Sequence, residues 1–207
     1  EGVFGQKGAD LAVRLFMAVV CLRFVTRKIL EFEDYYSKAL WGVETLLFCV
    51  LFFAYVKRSP PVDRAVGFKR VAIPLFGGAL PFGLLISEPS AAIYGREWAL
   101  DAVFGAMSAA TALTVWGMWA LRGSFSITAE ARKLVTGGPY RFVRHPVYLG
   151  EMLAAAGVTV WRFSPLSLII LALFIAVQLY RSRVEEEVLA RAFPEYREKL
   201  GKSFWFW

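Results

Sequence analysis

The only histidine of this chain, His145, sits in a short polar and basic run with Tyr140, Arg141, Arg144, Pro146, Tyr148 and Leu149. A second polar cluster follows further along: Arg181, Arg183, Glu185, Glu186 and Glu187. The two clusters are chemically complementary. Imidazole, phenol and guanidinium groups donate hydrogen bonds to anions, and carboxylates accept them from cations or take up protons. Arginine in addition offers a planar fork that matches a carboxylate. A long apolar run follows the histidine segment directly. Polar side chains at such a boundary are costly, which makes them the first candidates for a functional site.

The elements that must hold these residues are read from hydropathy. Hydrophobic residues make up 57% of the 207 residues, and the mean hydropathy is +0.50. A water-soluble domain lies nearer ~45–50% apolar. The excess gathers into blocks at 39–56, 71–87, 98–121, 148–163 and 166–180. A helix needs about 20 apolar residues to cross a bilayer. Lipid leaves no partner for a free backbone, and the blocks lack the alternation of barrel strands, so each is expected to be a helix. A sixth block, 11–25, is interrupted by Arg14 and Arg23; it either crosses, with both arginines reaching outward, or lies along the interface. Its charges argue against a signal peptide. The chain opens at Glu1 without an initiator methionine, which is read as a processed or trimmed start. The expected architecture is an all-α integral membrane protein of five or six spans. It forms one domain over 1–207, with N-terminal spans to 121 and a functional core over 122–207.

Charge sets the expected orientation. The loop after 39–56 carries Lys57, Arg58, Arg64, Lys69 and Arg70 against Asp63. The loop after 98–121 carries Arg122, Arg132, Lys133, Arg141 and Arg144 against Glu130. Positive loops stay inside, which puts both, with the C-terminus, in the cytoplasm; in a bacterium the membrane would be the inner one. The net charge of +7 fits contact with anionic lipid. No basic stripe with interleaved aromatics marks a nucleic-acid surface. Cys21 and Cys49 lie in apolar segments without metal-ligand spacing and read as packing residues.

Residues around 162–165 leave space for only a tight turn between the last two blocks. That forces an antiparallel hairpin, whose far ends carry the histidine segment and the glutamate cluster. Each cluster has an ordinary reading. Pro146 suits the first position of a helix, and His145 before it is biased to extended geometry. Arg181–Glu185 and Arg183–Glu187 have the spacing of solvated helix pairs. Their convergence at one end of a hairpin favours function.

Gly138-Pro139-Tyr140, then Arg144-His145-Pro146 and Tyr148, then the hairpin, Glu185-Glu186 and Phe193-Pro194-Glu195-Tyr196 resemble the isoprenylcysteine carboxyl methyltransferase family and the wider group of membrane phospholipid methyltransferases. The resemblance covers about the last third of the chain. The chain departs from it at Pro194, where the family commonly has glycine, and in ending on Phe204-Trp205-Phe206-Trp207. It implies S-adenosylmethionine as methyl donor, held by Tyr140, Arg144, His145, Pro146, Tyr148, Leu149, Glu185 and Glu186. No glycine-rich strand–helix fingerprint is present to hold that cofactor in another way. It further implies a lipophilic or lipidated acceptor entering from the membrane lipids. A carboxylate acceptor would be clamped by Arg181 or Arg183, and an amine acceptor would give its proton to a glutamate such as Glu185. Two other readings stand beside it. One is a sterol-reductase-like enzyme using NADPH, with Arg191, Arg197, Lys199 and Lys202 for a phosphate. The other is a non-catalytic membrane scaffold.

Overall fold

Long apolar runs give long helices, Phe68–Gly83 among them despite Pro74 and Pro81 inside it, and the polar residues between the runs mark the turns. The computed structural model describes residues 3–126 and 129–196. Seven helices follow in order: α1 (Val3–Leu30), α2 (Lys38–Val56), α3 (Phe68–Gly83), α4 (Ala91–Tyr94), α5 (Glu97–Leu121), α6 (Pro146–Trp161) and α7 (Pro165–Ala192). Two short strands, β1 (Asp63–Arg64) and β2 (Glu130–Ala131), pair antiparallel, with Asp63 opposite Ala131 and Arg64 opposite Glu130. Arg197, Lys199, Lys202 and the segment 204–207 lie outside the described residues.

Among the described residues, Lys38–Val56, Phe68–Ile86, Glu97–Ser124 and Pro165–Ala192 are long and apolar enough to cross a membrane. The chain is therefore an all-α membrane protein, and four of the described helices meet this measure. The remaining expected block, 148–163, forms the shorter α6. Its 16 residues reach only about 24 Å, short of a ~30 Å hydrocarbon layer. Polar bonds fix its end: Ser90 N donates to Trp161 O at 2.8 Å, and Arg162 Nη1 donates to Ser87 O at 2.5 Å. The 11–25 block lies within α1, which runs antiparallel along α2. Phe24 stacks on Phe48 at 4.6 Å, Lys28 pairs with Glu44, and Asp10 lies 3.8 Å from Arg58. Arg14 is neutralised by Asp10 at 2.7 Å. Cys21 is buried, Cys49 is half-buried, and both are free thiols.

The turn between α6 and α7 is short because its capping is complete. Ser164 Oγ accepts from Ser167 N at 3.0 Å, and Ser167 Oγ accepts from Ser164 N at 2.9 Å. Pro165 then occupies the first turn, where its missing N–H leaves nothing unsatisfied. At the opposite end of the bundle, the strand pair gathers the two basic loops. Ala65, Ala129 and Ala131 pack on Val184 and Val188 of α7. Arg191 reaches Asp63 at 3.1 Å, and Arg70 reaches Glu187 at 2.9 Å. Both basic loops and the α7 terminus thus share one end of the molecule.

Helices α5 and α6 approach closely because α6 carries glycine at the crossing. A Cβ on Gly150 would stand 2.7 Å from Ala110 O and 2.3 Å from Thr114 Oγ1. One on Gly157 would stand 2.4 Å from Met107 Cγ. Small residues at a helix crossing let backbones touch and gain dispersion contact where lipid offers no hydrophobic drive. Since α6 opens on the histidine segment, this contact also positions the site. Gly150→Ala should cost roughly 1–3 kcal/mol through overpacking against backbone and lower the melting temperature in detergent. Gly105→Ala, with nothing within 4 Å of its added carbon, should melt like the wild type. Equal melting of the two variants would show that the crossing is not tight.

Candidate active site

The histidine segment is shaped by its glycines and prolines. Gly138 has φ +60°, and an added Cβ would stand 3.3 Å from Ala120 Cβ, so glycine alone fits this turn comfortably. A single 3₁₀ turn, Gly138–Arg141, follows. His145 takes φ −127° and ψ 62° as the cap of α6, with Pro146 in the first turn. Pro146 is buried and packs against Gly117 of α5. Leu149 lies in the next turn of α6, and its N–H donates to His145 O at 3.0 Å.

The two polar clusters meet. His145 Nε2 donates to Glu186 Oε1 at 3.1 Å, and Arg144 Nη1 donates to the same oxygen at 3.2 Å. Tyr148 OH donates to Glu185 Oε2 at 2.7 Å. The His145 and Tyr148 rings stack at 5.5 Å with 11° between their planes. His145 is only 6% exposed. Hydrogen bonds to charged partners in such surroundings are stronger than at an open surface.

Arg181 and Arg183 separate. Arg181 is buried, with Cζ 4.8 Å from the centre of the Tyr148 ring. It donates to Gln178 Oε1 at 2.8 Å and lies 3.9 Å from Glu151 Oε2. Gln178 Nε2 in turn donates to Glu151. Arg183 is exposed, because two residues along a helix turn it by about 200° from Arg181; neither arginine is among the residues that line the cleft described below. Two glutamates of α7 also make contacts between elements: Glu185 accepts from Tyr148, and Glu187 pairs with Arg70.

A cleft lies beside His145, lined by Leu121, Ser124, Glu130, Arg132, Lys133, Leu134, Val135, Tyr140, Arg144, Glu185, Leu189 and Tyr196. Tyr148 and Val147 border its inner part. Burial, reinforced by Glu185, raises the Tyr140 phenol well above its ordinary range, and burial with Glu186 and Glu185 does the same to Tyr196. Both therefore remain neutral hydrogen-bond donors. One wall is absent from the sequence expectation. Glu130 Oε2 accepts from Arg58 Nη2 at 2.5 Å, from Arg132 Nη2 at 2.5 Å and from Ser126 Oγ at 2.9 Å. Burial pushes the Glu130 carboxyl up, but Arg58 and Arg132 outweigh it and hold it below the ordinary 4.5. Sequence spacing gave these residues no role beyond loop charge. Glu151 and Gln178 were legible in principle, as polar side chains inside apolar blocks.

Residues 98–196 match the phospholipid methyltransferase family model. The matched segment, similar to that family of membrane methyltransferases, takes in nearly all of α5, then α6, α7 and the residues that line the cleft. Within it, no finer membership in the isoprenylcysteine carboxyl methyltransferases is established. A stretch of 72 residues is 38% identical to the cobalt-zinc-cadmium resistance protein CzcN of Cupriavidus metallidurans, covering 34% of this chain and 33% of that protein. The match thus spans about a third of the relative's length. No solved structure matches the chain.

Glu130 makes acid sensitivity calculable in sign. Its folded-state pKa lies below its unfolded value, so its stabilisation is full above about pH 4.5 and is lost as pH falls through the folded value. Glu130→Gln should flatten the acid side of a stability–pH profile below that pH and lower stability at neutral pH. An unchanged profile would show that the two arginines do not depend on this carboxylate.

Proposed function

We propose that this chain is an S-adenosylmethionine-dependent methyltransferase acting at the membrane surface on a lipophilic acceptor. The observation that carries the reading is the direct engagement of Glu185 and Glu186 by Tyr148, Arg144 and His145 beside the cleft. The residues present fit the cofactor. Its carboxylate needs donors, and Arg132, Lys133, Tyr140, Arg144 and His145 line or edge the space. Its ammonium needs acceptors, and Glu130 and Glu185 are there. Its adenine needs an apolar slot, which Leu121, Leu134, Val135 and Leu189 offer. When bound, the cofactor supplies an activated methyl group for in-line displacement.

The protein's own work is positioning. Arg144 and His145 fix Glu186, and Tyr148 fixes Glu185, so the carboxylates keep their places without rotamer loss at the moment of reaction. Well-oriented reactants reach effective molarities of ~10⁵–10⁸ M, which is enough for a reaction whose leaving group is already charged. Arg181 lies over the Tyr148 ring, oriented by Gln178 and held near Glu151. A buried guanidinium there suits an acceptor carboxylate. Arg183, exposed, is left without that role. The phospholipid methyltransferase match and the nearby Glu151 favour a second reading, an amine headgroup whose proton passes to a carboxylate. In either case the acceptor enters sideways from lipid and the cofactor enters from water. The end bearing the basic loops is the cytoplasmic one.

Labelled methyl transfer by the purified chain should appear in a total lipid extract, and comparison of a prenylcysteine analogue with phosphatidylethanolamine names the acceptor. No transfer to any of these, together with no thermal stabilisation by S-adenosylhomocysteine, would contradict the reading. Among variants, His145→Ala should weaken S-adenosylhomocysteine binding by about 1–3 kcal/mol, the usual penalty for losing a buried polar contact. Glu186→Gln should do likewise. Glu187→Ala removes only a half-exposed bridge to Arg70 and should stay within ~1 kcal/mol. Equal damage from Glu187→Ala and Glu186→Gln in calorimetric titrations would put the wrong face of α7 in the site.

A further inference from the structure

The least satisfied charged group lining the cleft is Arg132. Its side chain is 1% exposed. Only Nη2 has an acceptor, the Glu130 oxygen at 2.5 Å. Nε and Nη1 are buried with no hydrogen-bond partner among the described residues. The local charge does not close either. Glu130 Oε2 is shared between Arg58 and Arg132; Asp10, paired with Arg14 at 2.7 Å, lies 3.8 Å from Arg58 and acts on Arg132 only through space. Lys133 adds a further positive charge to the same wall. Burial, opposed by Glu130 and aided by Arg58, pulls the Arg132 guanidinium below its ordinary range. A buried donor left unmade is destabilising, and a charged one more so. Such a group is completed by ordered water or by a ligand, and Arg132 lines the cleft where a ligand would bind.

We propose that Arg132 is an oxyanion-binding residue of this cleft, its Nε–H and Nη1–H taking a carboxylate or phosphate oxygen of the bound ligand. The inference deepens the methyltransferase reading, under which two sources exist: the carboxylate of the cofactor's amino-acid end and the phosphate of a phospholipid acceptor. Glu130 is then a positioning residue. It holds Nη2, with Arg58 and Ser126 locking the carboxylate in turn, so the remaining donors are fixed before the ligand arrives. The strand pairing of β1 with β2 brings Arg58 and Arg132 together although they lie far apart in sequence.

The test uses the full chain in detergent, wild type and Arg132→Gln, with calorimetry and thermal shift as readouts. One arm compares S-adenosylhomocysteine with its decarboxylated analogue. The other compares dihexanoyl phosphatidylethanolamine with dihexanoylglycerol. If the cofactor supplies the oxyanion, the wild type prefers S-adenosylhomocysteine by about tenfold or more, and Arg132→Gln loses most of that preference while binding the decarboxylated analogue unchanged. If the lipid supplies it, the adenosyl preference survives the substitution and the extra stabilisation by phospholipid disappears. If Arg132→Gln does not melt cooperatively, Arg132→Lys replaces it, since lysine keeps the bridge to Glu130 but not the second pair of donors. A folded variant that keeps both preferences overturns the proposal, as does a wild type that shows neither. Failure of the methyltransferase reading looks different: the wild type binds neither adenosyl compound, and the lipid arm alone then decides Arg132.

Discussion

The inner wall of the cleft depends on the pairing of two carboxylates at the end of α7 with the donors that open α6. Glu185 and Glu186 are adjacent in sequence, yet they bind different partners, Tyr148 and the Arg144–His145 pair. They do so because adjacent helical positions diverge by about 100°. The pairing exists only because the turn at 162–164 is short and capped on both sides by Ser164 and Ser167. A longer turn would leave the register of the two helices open, and the donors would meet a different turn of α7.

That pairing is supported from two directions. On one side, α5 presses on α6 through Gly117, Gly150 and Gly157, each of which leaves no space for a side chain. On the other, the β1–β2 ladder lays a small apolar layer of alanines on Val184 and Val188. It also carries the Arg58–Glu130–Arg132 group to the rim of the cleft. The site is therefore built where four separate stretches of chain meet: the loop after α2, the loop after α5, the start of α6 and the end of α7. Charged groups gather there in excess of what the bundle needs for stability, since buried ion pairs are poor stabilisers on balance.

Much of this was legible in the sequence. Apolar block length gave the long helices, and the tight turn at 162–165 gave the meeting of His145 with the glutamates. The failures have physical causes. Hydropathy over 148–163 does not register that Arg162 ties the helix end to the carbonyls of Leu85 and Ser87. Arg183 was grouped with Arg181 by composition, whereas helical phase turns it outward. Arg132 and Glu130 passed as loop charges because their burial comes from a two-residue strand pairing, too short for any periodicity to announce. Glu151 and Gln178 stood in apolar surroundings and carried a signal that single-residue cost alone would have raised.

The central claim is that S-adenosylmethionine occupies the cleft between the segment 140–148 and the end of α7. Direct ultraviolet cross-linking of labelled S-adenosylmethionine to the purified chain, followed by peptide mapping, tests it most directly. The account predicts label on peptides containing residues 130–148 or 185–196, suppressed by excess S-adenosylhomocysteine. Label that maps to the opposite end of the bundle, at 31–37 or 87–96, or that excess S-adenosylhomocysteine does not suppress, would contradict it.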